Sequence, residues 1–297
     1  WYGFTGTPIF KDSNLGIDGT TSTKGFEYTT EYQYGDVLHE YTIKDAIKDN
    51  SVLGFKTDFL DTISLEAKQE LYKKRYNTDI IDPTWEDLDY EKMIINNEKL
   101  FNESLINPIY GTKHKLKVLD KIVNKSGNLF DFSRPIGDMF CALFTTQSIN
   151  EAMEYYQLLN DFKKGTVENY PEYIIDSKIS EKVPDFPKFA ITFSLNENQE
   201  NSYARSEFMK NVLDNYNNEF GTKWTIDNIR GYNQDVNRRL ARKERKYSER
   251  SEQLDLVIVV NRLLTGFDAP MLSTLFIDRE PLELANLIQA MSRTNRK

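Results

Sequence analysis

Cysteine and histidine are scarce in this sequence, and their scarcity excludes several kinds of site. Cys141 is the only cysteine among 297 residues, which rules out an internal disulfide framework and any cysteine-cluster zinc or iron–sulfur site. The two histidines, His39 and His114, lie far apart and show no metal-ligand spacing. Either could serve one catalytic role, but we interpret both as ordinary surface or core residues. We therefore expect no metal site within this chain. A single thiol is typical of a reducing, cytoplasmic location.

Long apolar runs and excess positive charge are also lacking. The longest unbroken apolar run has six residues, Met139 to Phe144, whereas a membrane-spanning helix needs about 20, so we expect no membrane segment. The net charge of −8 argues against a basic coat for nucleic acid, although a local basic patch stays possible. The sequence begins at Trp1 rather than Met, and we interpret it as a piece of a longer protein.

Short apolar segments alternate with helical patterns in the second half of the sequence. Four such segments predict buried strands of a parallel sheet, at 139–144, 189–195, 254–260 and 272–277. Helical patterns occupy roughly 199–219 and 226–247, and a last helix is predicted from Pro281. Earlier in the chain, 42–49 resembles a short helix and 52–59 alternates weakly, like a strand. The fold class predicted is α/β, with helices flanking a mostly parallel sheet and a mixed, largely helical region before it.

The predicted last helix has two distinct faces. An apolar stripe of Leu284, Leu287, Ile288 and Met291 suits packing on a sheet, and Gln289, Arg293 and Arg296 cluster on the opposite side. Guanidinium groups bind phosphate oxygens in a bidentate manner, which suits contact with a nucleotide held by another domain. The alternative interpretation is a solvated polar face, with arginines favoured near a helix C-terminus.

Two loops add to this pattern. After the segment 254–260, Thr265 and Gly266 offer a hydroxyl, an amide and close backbone approach for a phosphate, and Asp268 can orient an arginine or a water. At the other end of the sequence, Thr5-Gly6-Thr7-Pro8 places two threonines around a glycine. Each loop, taken alone, is equally well explained as an ordinary turn.

In this order, the three segments resemble motifs III, V and VI of superfamily 2 helicase motors. Thr5-Gly6-Thr7-Pro8 is similar to motif III, Thr265-Gly266-Phe267-Asp268 to motif V, and 289–296 to motif VI (QxxGRxxR), with Ser292 in place of the usual glycine. The wider strings around them resemble the restriction (R) subunit of type I restriction–modification enzymes. Thr145, Thr146 and Ser148, after the segment 139–144, lie where that family has motif IV.

The resemblance implies a RecA-like motor that hydrolyses ATP and moves double-stranded DNA. Arg296 would be the arginine finger with Arg293 as its partner, and Gln289 and Asp268 would complete the ATP-binding set. Thr5, Gly6 and Thr7 would couple hydrolysis to lobe movement. The DNA-binding candidates are Thr265, Gly266, Thr145, Thr146 and Ser148.

The resemblance also divides the chain. Residues 1–12 would form the C-terminal edge of a first RecA-like lobe, 13–130 an inter-lobe linker or insertion region, and 131–297 the second lobe. No GxxxxGK(S/T) phosphate loop, acidic magnesium motif or convincing nuclease motif occurs in the sequence. ATP and Mg²⁺ would therefore be bound mainly by an upstream first lobe, and we expect this fragment alone to be inactive. The implied partners are double-stranded DNA, the methyltransferase and specificity subunits, and the first lobe and nuclease domain of the same parent chain.

Two alternatives stay open at this stage. The chain could be a lobe of a superfamily 2 repair or RNA helicase, or a catalytically dead protein-interaction module that uses the arginine face. A basic run from Arg238 to Arg250 could follow a DNA backbone, but a solvated charged helix or loop explains it as well.

Overall fold

The computed structural model describes residues 30–54, 56–60, 62–63, 65–85, 89–90, 93, 111–193, 202–260, 267–278, 290–291 and 294. The chain divides into two compact units, one formed by residues 1–55 and 282–297 and the other by residues 56–281. Within the described ranges, no helix is both long and apolar enough to cross a membrane.

The described helices are short or of medium length. In the first unit these are α1 (Thr30–Tyr34) and α2 (Ile43–Lys48). In the second unit they are α3 (Leu65–Tyr76), α4 (Thr112–Asn124), α5 (Gly127–Phe130), α6 (Ile149–Lys164), α7 (Ser177–Lys182), α8 (Ser202–Phe220) and α9 (Ile229–Ala241). Single turns of 3₁₀-helix lie at Ile136–Asp138, Ile226–Asn228, Arg245–Ser248 and Arg250–Glu252.

A four-stranded parallel sheet forms the centre of the second unit. Its strands are β1 (Cys141–Thr146), β2 (Phe189–Thr192), β3 (Leu256–Val259) and β4 (Leu272–Asp278), in the spatial order β2-β3-β1-β4. In the middle of β1, Phe144 pairs with Ile258 of β3 and Phe276 of β4. All residues of β1 and β3 are buried, as expected for parallel strands covered on both faces.

The helices around the sheet bury one face each. In α4 the buried stripe contains Leu116, Leu119, Ile122 and Val123, at the spacing that places side chains on one side of a helix. Helix α6 buries Tyr155, Leu159 and Phe162 in the same way and ends at Gly165, whose φ of +68° is the left-handed conformation that glycine adopts without strain. The predicted α/β class, a RecA-like lobe with helices flanking a parallel sheet, is confirmed.

Most of the predicted elements are of the correct type, helix or strand, but their bounds differ from those in the structure. All four predicted strands are present, but β1 begins two residues later than expected, at Cys141. The helix predicted at 42–49 is present as α2, with a capping box in which Thr42 and Asp45 bond each other's backbone amides. The strand predicted at 52–59 is wrong, because the described residues of this segment form no regular secondary structure.

The charged helix predicted at 226–247 is shorter than expected. Helix α9 ends at Ala241, and Arg242 follows it in the left-handed conformation, with a φ of +53°. A non-glycine residue in that region is unusual and is retained only when the surroundings hold it. The guanidinium of Arg242 is held by the carbonyl oxygens of Met139 and Leu254, which precede β1 and β3, so tertiary contacts end this helix.

Candidate functional site

The carboxyl end of β1 carries two of the predicted phosphate-contacting residues. Thr145 and Thr146 are fully buried. The Thr145 hydroxyl donates to the carbonyl of Val260 at 2.9 Å, and the Thr146 hydroxyl donates to the carbonyl of Ser148 at 3.2 Å. Both hydroxyls are therefore hydrogen-bonded within the protein, and they fix the path of the chain where β1 and β3 end. Contact with a phosphate stays a prediction for both residues.

Ser148 begins α6 at the same edge of the sheet. Its hydroxyl accepts a hydrogen bond from the amide of Glu151 at 3.2 Å, and the Glu151 carboxylate accepts from the amide of Gln147 at 3.0 Å. Ser148 and Glu151 have the three-residue spacing of a capping box, in which the carboxylate bond returns to Gln147. The N-terminus of a 16-residue helix thus lies at the carboxyl edge of β1, where its dipole favours an anion.

Asp268, predicted to bind ATP, lies at the other edge of the sheet. It precedes the amino end of β4 and forms an ion pair with Lys243, and both side chains are about half exposed. Lys243 follows Arg242, whose guanidinium bonds the carbonyl that precedes β1. The structure therefore places Asp268 at the amino edge of the sheet and Thr145, Thr146 and Ser148 at the carboxyl edge, and it does not bring these predicted site residues together.

The other predicted site residues lie outside the described part of the chain. They are Thr5, Gly6, Thr7, Thr265, Gly266, Gln289, Arg293 and Arg296. Of the predicted last helix, Ala290 and Met291 are helical, and Ala290 is buried. Thr294 donates its amide hydrogen to the carbonyl of Met291 at 3.0 Å.

Three of the seven basic residues in the run 238–250 point into the protein. Arg239 is completely buried, and Arg242 and Arg250 expose only 3% and 15% of their side chains. Arg239 bonds Asp235 at 2.9 Å and Glu252 at 2.7 Å, and Arg250 bonds Asp185 and Asp255. These three arginines form what we call the arginine cluster, at the amino edge of the sheet. The cations of this cluster are neutralised by carboxylates, whereas the other basic residues of the run are exposed, so contact of the run with DNA stays a hypothesis.

A second polar cluster, which the sequence did not predict, lies at the carboxyl end of β4. Asp278, the last residue of β4, bonds His114 Nε2 of α4 through Oδ1 at 3.1 Å and accepts a short hydrogen bond from the hydroxyl of Tyr155 in α6 through Oδ2. The other ring nitrogen, His114 Nδ1, bonds Thr62 Oγ1 at 3.0 Å. We call Thr62, His114, Tyr155 and Asp278 the His114 network.

The electrostatics of the His114 network follow from its partial burial. Burial alone would raise the pKa of Asp278, but the hydrogen bond and charge of His114, with the Tyr155 hydroxyl, hold it below the usual value of 3.8. Burial, and then the charge of Asp278, raise the pKa of Tyr155 far above its ordinary range. Burial and the nearby charge of Asp278 also raise the pKa of Glu151. At neutral pH the network therefore holds an ionised Asp278 and a neutral tyrosine donor.

The two histidines have different surroundings, although the sequence suggested the same interpretation for both. His39 is exposed, whereas the side chain of His114 is only 12% exposed and bridges two polar partners. The sequence contains one local indication of this network. Asp278 directly follows the apolar part of a predicted buried strand, and residues at the carboxyl ends of parallel strands gather at one edge of the sheet. Nothing in the sequence links that aspartate to a residue 164 positions earlier. In the described residues, no group of three or more histidine, cysteine or carboxylate side chains is arranged to hold a metal ion.

The parallel sheet, with helices packed on its faces, defines the class of this molecule, an α/β lobe of the RecA-like type. A family model for type I restriction enzyme subunit R, domain 3, matches residues 138–297, which is more than half of the chain. A model for the SWI2/SNF2 ATPase matches residues 1–92. The chain belongs to the family of type I restriction enzyme R subunits, which confirms the resemblance identified from the motifs.

Curated relatives match along the whole chain. The endonuclease subunit of a type I restriction enzyme from Staphylococcus aureus strain COL is 29% identical over 299 aligned residues, which cover 100% of this chain and 26% of the relative. A corresponding subunit from Staphylococcus saprophyticus is 28% identical with the same coverage. A putative type I endonuclease subunit from Methanocaldococcus jannaschii is 22% identical, covering 99% of this chain and 24% of its own length. The chain thus spans about a quarter of the length of these relatives.

Proposed function

We propose that this chain contains the second motor lobe of the ATP-dependent double-stranded DNA translocase in a type I restriction endonuclease R subunit. The observation that carries the proposal is the order of the three motifs at 5–8, 265–268 and 289–296, within a chain whose second half matches the R-subunit model. The match of residues 1–92 to an ATPase model supports a motor rather than a binding module.

The proposed division of labour follows the motif order. Residues 1–12 end the first lobe, 13–130 link the lobes, and 131–297 form the second lobe. ATP, when bound, supplies a phosphoryl group whose transfer to water releases free energy for movement. Mg²⁺ would be bound with it, mainly by the first lobe. Arg293 and Arg296 would contact the phosphates, because always-charged guanidinium forks match phosphate oxygens, and Gln289 would support them.

The carboxyl edge of β1 is the proposed DNA contact within the second lobe. The N-terminus of α6 places the positive end of the helix dipole there, which suits a DNA phosphate. Thr145 and Thr146 would hold this edge in place, and Ser148 would orient the first turn of α6. Thr265 and Gly266 would add backbone contacts from the next loop. At the opposite edge, Asp268 already has Lys243 as a cationic partner, so its proposed role in ATP binding requires that this ion pair rearrange.

The decisive test is duplex-stimulated ATP hydrolysis by the complete restriction complex with Arg296→Ala. We expect a fall in kcat of about 10³-fold or more with ATP binding retained, the size of effect that arginine fingers have in other phosphoryl-transfer enzymes. Arg230→Ala is the matched control, because Arg230 is an exposed arginine outside the basic run 238–250. Near-normal turnover by Arg296→Ala would reject the arginine-finger role.

A second test concerns the isolated 297-residue chain. We expect it to show neither ATP turnover nor DNA cleavage, because its sequence has no phosphate loop and no convincing nuclease motif. Robust turnover that survives repeated purification would contradict the proposed division between two lobes.

A further inference from the structure

We propose that His114 is a positioning residue of the motor, holding the carboxyl end of β4 and the first two turns of α6 in a fixed relation to the segment at Thr62. This inference rests on the proposed function, because it assigns His114 a part in ATP-driven movement. His114 would act through Asp278 and Tyr155, and it would touch neither ATP nor DNA.

The geometry places His114 at a junction of four segments. One ring nitrogen bonds Asp278 at the end of β4, and the other bonds Thr62, which precedes α3. Asp278 in turn bonds Tyr155, which lies two turns along α6 from its N-cap, Ser148. A displacement of His114 would therefore be passed to the helix whose N-terminus is the proposed DNA contact.

Helix α4 holds the Thr62 segment at two points. In addition to the His114–Thr62 bond, the ammonium of Lys117 donates to the carbonyl oxygen of Thr62. Thr62 itself is only 7% exposed. Thr62 and α4 both belong to the proposed inter-lobe region, and His114 of α4 joins that region to the carboxyl edge of the sheet.

Charges facing the network from the packed helices are complementary. Lys115 of α4 pairs with Glu154 of α6 at 2.6 Å. Glu151 of α6 adds a carboxyl group near Asp278, and Lys117 adds a cation near Thr62. The contact between α4 and α6 thus includes an ion pair at Lys115, the residue that follows His114.

Stability alone does not explain why a polar network, rather than an apolar contact, lies at this position. An ion pair or hydrogen-bonded pair in a half-buried site contributes little beyond what a well-packed apolar contact would give, but its geometry is far more specific. Asp278 is also the point from which the chain leads into residues 289–296, which carry the motif VI arginines. The network therefore fixes the geometry at the end of β4 more than it stabilises the fold.

The test compares three substitutions of His114 in the complete restriction complex. The amide of glutamine reaches the position of Nε2 and can bond Asp278, whereas the shorter asparagine reaches the position of Nδ1 and can bond Thr62. We expect His114→Ala to lower kcat for duplex-stimulated ATP hydrolysis by about 10- to 100-fold, with KM for ATP within about twofold of wild type. His114→Gln should restore most of kcat, because Lys117 still joins α4 to Thr62 when the ring nitrogen facing Thr62 is lost. His114→Asn should not, because the bond to Asp278 has no such substitute. His39→Ala is the matched control, because His39 is exposed.

Several outcomes would overturn the inference. Unchanged kcat in His114→Ala would do so directly. So would equal rescue by glutamine and asparagine, or a loss of kcat that merely matches the loss of folded protein measured by thermal unfolding. Arg296→Ala, assayed in parallel, separates this inference from the proposed function. Loss in Arg296→Ala with normal turnover in His114→Ala rejects only the role of His114, whereas the reverse pattern supports that role and rejects the arginine finger.

Discussion

Replacing Arg239 tests whether the basic run stabilises the fold from inside. Its guanidinium is fully buried, pairs with Asp235 and Glu252, and lies 4.0 Å from the centre of the Phe220 ring. Although burial works against the charged form, hydrogen bonds to these two carboxylates hold the pKa of Arg239 above its ordinary value. Arg239→Met keeps most of the aliphatic volume and removes the charge, so it isolates the electrostatic contribution.

The expected magnitude follows from the groups left behind. Removing one partner of a buried ion pair costs about 3–5 kcal/mol, because the other charge stays desolvated. Asp235 would keep hydrogen bonds from Tyr216 at 2.8 Å and Trp224 at 3.3 Å, so part of its desolvation stays compensated. We therefore expect a loss near the lower end of that range, about 3 kcal/mol. With an m-value of about 3 kcal/mol/M, this lowers the urea midpoint by about 1 M.

The assay is equilibrium urea unfolding of the 297-residue chain, followed by circular dichroism. The neighbouring Arg238→Ala is the control, because an exposed arginine with a single 3.7 Å ion pair should change stability by less than about 0.5 kcal/mol. Equal midpoints for the two variants would refute the reasoning, since the two residues differ mainly in burial. Salt should alter the difference little, because buried pairs are weakly screened.

Three further predictions concern protonation and backbone conformation. The pKa of Asp278 is lowered in the folded state, so its ionised carboxylate stabilises the fold fully above the usual pKa of 3.8, and this stabilisation is lost as the pH falls through the lowered pKa. In urea unfolding between pH 7 and 3, the free energy of unfolding of Asp278→Asn should therefore fall less with decreasing pH than that of wild type. Burial raises the pKa of the Cys141 thiol to about 11, so a thiol-reactive dye should label it only after unfolding, and fast labelling at pH 7.5 in the native state would contradict its burial. Gly165→Ala forces a side chain into a left-handed conformation with a φ of +68° and should cost about 1–2 kcal/mol in urea unfolding, whereas an unchanged midpoint would show that the end of α6 can rearrange.

The kinds of elements in the sheet region were predictable because each depends on local pattern. Continuous apolar segments produced β1 and β3, which are buried on both faces, and the α6 cap was visible as a serine followed three residues later by a glutamate. The strand predicted at 52–59 was wrong because its only basis was a weak local alternation. A strand exists only when another strand pairs with it, and a period of two over a few residues says nothing about a partner.

The direction in which charged side chains point was not predictable. The run 238–250 shows seven basic residues against two glutamates in the sequence, which favours a solvated or DNA-facing surface. The structure turns Arg239, Arg242 and Arg250 inward, because Asp235, before the run, and Asp185 and Asp255, outside it, lie at the amino edge of the sheet. A count of charges within a segment does not include the carboxylates that the fold places beside its basic residues.

Three motifs, whose residue types and order reflect phosphate chemistry, were enough to identify the family, and apolar segments that alternate with helical patterns were enough to identify the α/β class. Which polar residues meet depends instead on how the chain is folded. Asp278 and His114 are 164 positions apart, and they are joined because a parallel sheet brings the end of β4 beside α4 and α6. Asp268 and Ser148 both resembled ligand contacts, yet they lie at opposite edges, because a strand carries the chain across the whole sheet between its two ends.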